Sequence, residues 1–312
     1  MLFNINKYSS IPEWDEYEIY HDENKESRIA HGYLLVPIRI KDKLLQEVEK
    51  IRTQYNCDSK LHYSDLTGKV ENIKHKAVRD LLYIMHDAFR TKRYTRRIWG
   101  DQPPRCKFVL FIKKNINKMS SRYFTSFNST SRNEIDIRKI ETLLRIGLKG
   151  GLHYLFDENS KIKIIGFYTD GISWHRPFDR ARICQRLYEQ KKNFIDFDPN
   201  LSIDPIISNH KDERCIDYNR AQLLQACDCV LGAFINCIFG GRSDSFKTKV
   251  AYPIRLIMEK HKRRRGNIKY SGHYKSFTIT QSSLEEGKWA YEPLELIELE
   301  RQVKDKQLEL FK

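Results

Sequence analysis

Asp22, Asp170 and Asp228 are the residues of this 312-residue chain whose types and settings could do chemistry together. Two of them end strand-like runs, YEIYHD and KIKIIGFYTD. The third interrupts an otherwise apolar helical run, AQLLQACDCVLGAF, with nothing basic within a turn of it. An ionised carboxylate on an apolar helix face costs on the order of several kcal/mol unless something compensates it. Three carboxylates forced together repel one another and shift their pKa values upward unless a cation neutralises them. Oxygen-only ligation suits Mg²⁺ or Mn²⁺, which keep some waters and often bind substrate phosphate. Such ions activate water and stabilise the leaving oxygen in phosphodiester cleavage. The expectation is a metal site made by Asp22, Asp170 and Asp228.

The elements that must position these acids are legible from periodicity. Residues 17–22 and 29–40 read as strands joined by a short polar NKES stretch that suits a hairpin. Apolar residues at helical spacing predict helices over 43–55 and 70–89, with KLHYSDL between them, and 105–113 (RCKFVLFIK) reads as a third strand. A Ser-rich loop over 119–132 leads to a helix over 133–156, in which Gly150-Gly151 is a candidate kink. A fourth strand covers 161–170, a helix 178–191 and a fifth strand 201–208, and Asp217 is placed to cap the helix that carries Asp228 and runs to about 239. This order predicts an α/β fold: a mixed five-stranded sheet with helices on both faces and a helical insertion over about 41–100 after the second strand. The predicted division is one domain over 1–250 and a basic extension over 251–312 that ends in a helix. Ligands gather at the carboxyl ends of parallel strands. If the strands ending in Asp22 and Asp170 are neighbours, those carboxylates sit side by side. Asp228 shares a helix stripe with Ala221, Leu224, Gln225, Gly232 and Ile235, and that stripe must face the sheet.

Composition narrows the partners. Hydrophobic residues make up 40% of the chain and aromatic residues 12%, enough for a sizeable core. A net charge of +15 and a pI near 9.4 point to a polyanion, with nucleic acid favoured over an acidic membrane surface. Two runs concentrate that charge: RTKRYTRR, with Arg93, Arg96 and Arg97, and KHKRRR, with Lys262, Arg263, Arg264 and Arg265, followed by Tyr270 and Tyr274. Cations that neutralise phosphates and rings that stack on bases hold nucleic acid without reading its sequence. The mixed-charge segment after 293 is expected to be a helix whose leucines dock on the body, on a protein partner or on a second copy. Seven single cysteines, none in a C-x-x-C pair, argue against a zinc ribbon and fit a reducing cytoplasm. The longest apolar stretch, 229–239, is shorter than a bilayer span, so no membrane association is expected. The chain contains no Walker loop, no G-x-S-x-G and no H-E-x-x-H.

The stretch LQACDCVLGA, residues 224–233, resembles the Leu-Gln-Leu-Ala-Asp-Leu-Val-Ala-Gly-Ala signature of the bacterial domain-of-unknown-function-3800 family. IYHDEN, residues 19–24, is similar to that family's Tyr-Ile-Asp-Glu-Ser-Gly opening, and FYTD, residues 167–170, stands where the family has its middle acid. The resemblance covers roughly 17–239. It implies a ribonuclease-H-like fold and a metal-dependent phosphodiesterase site on Asp22, Asp170 and Asp228, in a setting such as bacterial phage or mobile-element defence. Glu23 follows Asp22 in the same motif and, pointing to the opposite face of an extended chain, takes a supporting role. Where the family writes Glu-Ile-His or Glu-Leu-His, this chain has Lys60-Leu61-His62. His62 is retained as a candidate general base or phosphate-orienting group, while a lysine replaces the acid. Asp65 is then a candidate substitute, and Glu134, Asp136 or Glu141 a candidate fourth acid from the helix after the third strand. Arg176, close after Asp170, is a candidate phosphate contact. Two further readings stay open: a nucleic-acid-binding protein whose site has lost catalysis, and a subunit that recruits a partner through its C-terminal helix.

Overall fold

The computed structural model describes residues 14–24, 30–67, 70–89, 106–113, 132–156, 158, 161–170, 179–239, 246–263, 276–285 and 288–293. A mixed β-sheet forms the middle layer, and helices cover both of its faces. Strand β1 (Asp15–Asn24) pairs antiparallel with β2 (Ala30–Pro37), and β2 pairs antiparallel with β3 (Lys107–Lys113). On the other side of β1 lies β4 (Ile162–Asp170), running parallel to it. Two short strands, β5 (Ile195–Phe197) and β6 (Ile203–Ile206), pair parallel with successive parts of β4. Beyond β3 the sheet continues through β7 (Phe277–Glu285), parallel to it, and β8 (Lys288–Pro293), antiparallel to β7.

Among the described residues the sheet therefore has eight strands rather than the expected five. The additional ones are short or remote in sequence. β5 has three residues, too few for a periodicity signal. β7 pairs with β3, more than 160 residues earlier by the register Phe108↔Phe277, and nothing local announces such a partner. β6 is the strand expected over 201–208, and it carries Pro205, which an edge strand tolerates.

Strand β2 is buried along its whole length because helices pack on both sides of it. Helix α1 (Ile38–Tyr55) starts directly after Pro37, so the apolar run over 29–40 is part strand and part helix. Ile40 joins Leu44, Val48 and Ile51 on the buried stripe of α1. Helix α2 (Ile73–Phe89) begins where the Asn72 side chain accepts the His75 amide at 3.0 Å. Ile73, expected on its apolar side, is 57% exposed. Helix α3 (Arg132–Leu155) runs through Gly150 and Gly151 without a break, so the expected kink is absent. Helix α4 (Arg180–Glu189) is capped by Asp179, which accepts the Arg182 amide.

Helix α5 (Tyr218–Phe239) is capped by Asp217, which accepts the Arg220 amide at 2.9 Å. Short helix α6 (Phe246–Val250) and helix α7 (Tyr252–Arg263) follow it. Tyr20, Leu34 and Phe108 face a core shared with α1, α2, α5, α6 and α7. Ile19, Tyr33 and Phe111 face the opposite core, with α3 and α4. That alternation is the period-two consequence of extended backbone. Among the described residues, one helix, Tyr218–Phe239, is long and apolar enough to cross a membrane by length and composition, but 67% of that window is buried inside the fold. It is the core helix of the sheet's acid-bearing face. The remainder of the 294–312 segment, expected to be helical, lies outside the described residues.

Candidate functional site

Three elements bring the acids together. Asp22 lies near the end of β1 and Asp170 ends β4. The two strands are hydrogen-bonded neighbours, with Tyr20 opposite Tyr168 and His21 opposite Thr169. Asp22 shares a sheet face with Tyr20 and Glu18 and so looks toward α5. Across β2 its partner is Gly32. That glycine lets α5 come down onto the sheet: a Cβ there would meet Phe108 Cζ at 2.9 Å and Leu231 Cβ at 3.1 Å. One turn earlier on α5, the Cys227 thiol donates to the Tyr20 carbonyl at 3.1 Å. Asp228 thereby stands beside Asp22.

The electrostatics report this proximity. Burial, then the neighbouring carboxylates of Asp228 and Asp170, push the Asp22 carboxyl well above the usual range. Burial likewise raises Asp228 to about 6, against the opposing pull of the Tyr63 amide, Asp22 and Lys60. Asp22 and Asp228 are close enough to share a hydrogen bond. Each keeps one backbone donor: Glu23 N–H to Asp22 Oδ1 at 2.8 Å and Tyr63 N–H to Asp228 Oδ2 at 2.7 Å. His62 Nε2 lies 3.3 Å from Asp228 Oδ1.

Asp170 is held differently. The Ser208 hydroxyl donates to its Oδ2 at 2.8 Å, the Ser208 amide approaches Oδ1 at 3.3 Å, and Lys60 Nζ lies 3.6 Å from Oδ2. On the opposite face of the sheet, His21 Nδ1 lies 2.9 Å from Thr169 Oγ1, which ties β1 to β4 one residue before each aspartate. Among the described residues, no three His, Cys, Asp or Glu side chains converge closely enough to hold a metal ion between them. The donor set does fit a hard divalent cation bound through a carboxylate pair and water, which is the ordinary economy of Mg²⁺.

The other candidates divide cleanly. Glu23 faces away from Asp228, its Oε2 4.0 Å from His31 Nδ1, and serves Asp22 through its amide. Asp65 pairs with Lys74 Nζ at 2.9 Å and with His62 Nδ1 at 3.1 Å and is 47% exposed. It orients His62 instead of replacing the acid at position 60. Glu141 is buried on the far side of the sheet, where it pairs with Arg182 and accepts the Asp179 amide at 2.9 Å, so it is no fourth acid for this site. Glu18 shares the face of Asp22 but is neutralised by Lys41 Nζ at 2.7 Å and accepts the Tyr20 hydroxyl at 2.6 Å. The side chains of Glu134, Asp136, Lys262 and Arg263 lie outside the described residues, as do Arg93, Arg96, Arg97, Arg176, Arg264 and Arg265 in full.

Sequence reasoning missed what holds residues 57–63 against the acids. Gln225, one turn before Asp228, is buried, and its Oε1 accepts both the Leu61 amide at 2.8 Å and Arg52 Nη2 at 2.6 Å. Its Nε2 donates to the Ser208 carbonyl at 2.5 Å. A single amide thus fixes the segment that supplies Lys60, His62 and the Tyr63 amide, and also the loop that supplies Ser208. Arg52, 5% exposed, donates to four neutral acceptors: Gln222, Gln225 and the carbonyls of Cys57 and Ser59. Tyr63 then fits against Gly232, where a Cβ would lie 2.4 Å from its ring. The available signal was Gln225 on the Asp228 stripe: a buried amide with four hydrogen-bonding sites must be placed by, or must place, something. Gln225→Leu should cost about 2 kcal/mol, the usual penalty for orphaning buried polar partners, and should accelerate amide exchange at Leu61 and Tyr63 beyond the rest of the fold. Unchanged exchange there would remove Gln225 from this role.

No protein-family model matches the chain, and no curated protein is significantly similar to it. The functional reading therefore rests on the residues themselves.

Proposed function

We propose that this chain is a metal-dependent nuclease with a ribonuclease-H-like catalytic core, hydrolysing phosphodiester bonds of nucleic acid. One observation carries the reading: the half-buried Asp22 carboxyl stands against Asp228 and within the field of Asp170, an excess of negative charge in a place a divalent cation would neutralise. Support for the core comes from strand order. β3, β2, β1 and β4 lie side by side with β5 and β6 outside them, the first three antiparallel and the rest parallel to β1. A mixed sheet of this kind, covered by helices on both faces, is compatible with the core that the resemblance to the domain-of-unknown-function-3800 family implies.

Asp22 and Asp228 would hold Mg²⁺ or Mn²⁺, with Asp170 beside them. The ion would supply a nucleophilic water at neutral pH and neutralise charge on the phosphate. His62 lies 3.3 Å from Asp228 and is 32% exposed, so it borders the site from the solvent side, where it can exchange a proton or orient a phosphate. Lys60, 29% exposed, adds a positive charge at the same rim. The chain's +15 charge would hold the nucleic acid backbone and make binding salt-sensitive. Purified protein should cleave nucleic acid only with Mg²⁺ or Mn²⁺, and Asp170→Asn should impair it. Cleavage that persists in chelator would defeat the proposal.

A second reading is favoured by the Lys60–Asp170 ion pair, which puts a cation of the protein's own into the acid cluster. In it, the chain binds nucleic acid without cutting. Salt-sensitive binding together with no Mn²⁺ binding by calorimetry would select that reading.

A further inference from the structure

We infer that Lys60 is a resident cation of the site, neutralising Asp170 so that the protein binds one divalent ion, at Asp22 and Asp228, and offers its ammonium group to the substrate phosphate. The inference rests on the metal-dependent reading above and specifies its stoichiometry.

The three aspartates are not equivalent. Both oxygens of Asp170 already accept: Oδ1 from the Ser208 amide at 3.3 Å, Oδ2 from the Ser208 hydroxyl at 2.8 Å, with Lys60 Nζ at 3.6 Å from Oδ2. A carboxylate so engaged has a counter-charge beside it and its lone pairs directed to donors. Asp22 and Asp228 accept one backbone N–H each, His62 Nε2 lies 3.3 Å from Asp228 Oδ1, and among the described residues neither acid pairs with a lysine or arginine. The uncompensated charge lies on that pair.

The position of Lys60 is built. Leu61, next to it, is fully buried, and its amide is fixed by Gln225, whose other end fixes the Ser208 carbonyl. The same buried amide therefore aligns Lys60 and Ser208, the two residues that engage Asp170. Lys60 remains 29% exposed and Asp170 21%, so the ammonium borders both the acid and solvent. A lysine binds phosphate as a compact point charge without a fixed approach geometry. When a phosphodiester reaches the rim, the ammonium can serve it and Asp170 together.

The test is Mn²⁺ stoichiometry, measured by calorimetry and electron paramagnetic resonance on the full chain near neutral pH. Wild type should bind one Mn²⁺ per chain. Lys60→Glu should bind two, and Lys60→Met should retain one while weakening the binding of a short oligonucleotide in Ca²⁺ by about tenfold. Asp22→Asn should abolish Mn²⁺ binding, whereas Asp170→Asn should weaken it by less than tenfold. Two Mn²⁺ ions in wild type would overturn the role given to Lys60 and leave the metal-dependent reading standing. One ion in Lys60→Glu, or loss of binding in Asp170→Asn with retention in Asp22→Asn, would also overturn it. No Mn²⁺ in wild type would overturn both.

Discussion

Asp228→Asn should lower Mg²⁺-dependent cleavage by about a thousandfold or more, and should leave the protein at least as stable as wild type near neutral pH. The two halves of this expectation have one cause. Asp228 is only 16% exposed and lies beside Asp22, and burial holds its carboxyl up at about 6. Keeping it ionised at neutral pH works against folding. An asparagine has nearly the same shape, and its carbonyl can still accept the Tyr63 amide that Asp228 accepts at 2.7 Å. What it removes is the charge. Relief of that cost should stabilise the fold by on the order of 1–3 kcal/mol, since each pKa unit corresponds to about 1.4 kcal/mol and the burden is shared with Asp22. Stability gained while activity is lost marks an acid retained for its chemistry. The measurement pairs cleavage assays with thermal unfolding. If Asp228→Asn cuts as fast as wild type, the acid is not part of a hydrolytic site. If it unfolds at a clearly lower temperature, Asp228 was a structural hydrogen-bonding group whose charge the fold had already met.

What the sequence revealed and what it hid divide along physical lines. Asp22, Asp170 and Asp228 were visible because each breaks a local rule: two are carboxylates closing apolar strand runs, and one sits inside a buried helix. Their meeting needed only the parallel pairing of β1 with β4, which a strand–helix–strand order implies. Lys60 could be read only as a departure from a motif, because its partner Asp170 is 110 residues away and the pairing depends on how 57–63 folds over α5. The Arg52–Gln225–Ser208 chain was hidden for the same reason: its members come from α1, α5 and a loop, and each looks ordinary alone. Asp65 and Glu141 show the converse. As acids near the right segments they were reasonable candidates, yet Lys74 and Arg182 claim them. A carboxylate's type is legible in sequence, but whether its charge is already spent is a property of the packed structure.

Measured against Asp22→Asn, metal-free wild type should lose stability as the pH rises from about 4 to about 7, and Mn²⁺ should restore it at the upper end of that range only. Asp228 has a folded-state value of about 6, above the ordinary 3.8, and Asp22 is shifted in the same direction. The folded chain therefore binds these protons more tightly than the unfolded chain does. The stability they contribute is fully present below the unfolded value and is lost as the pH climbs through the folded one. This is opposite to the usual behaviour of a salt-bridged aspartate, which loses stability on acidification. A divalent ion binds the ionised pair, so above about pH 6 it supplies the counter-charge that protons supply below it. At an ion concentration about a hundred times its dissociation constant, the gain is about 2.7 kcal/mol. Thermal unfolding in chelator and in Mn²⁺, at one acidic and one slightly alkaline pH, tests both signs at once. The stabilisation by Mn²⁺ should be large in the alkaline buffer and vanish in the acidic one, and Asp22→Asn should erase the difference. Equal Mn²⁺ stabilisation at both pH values, or a chelated wild type that gains stability relative to Asp22→Asn across this range, would place the ion and the titrating pair somewhere other than Asp22 and Asp228.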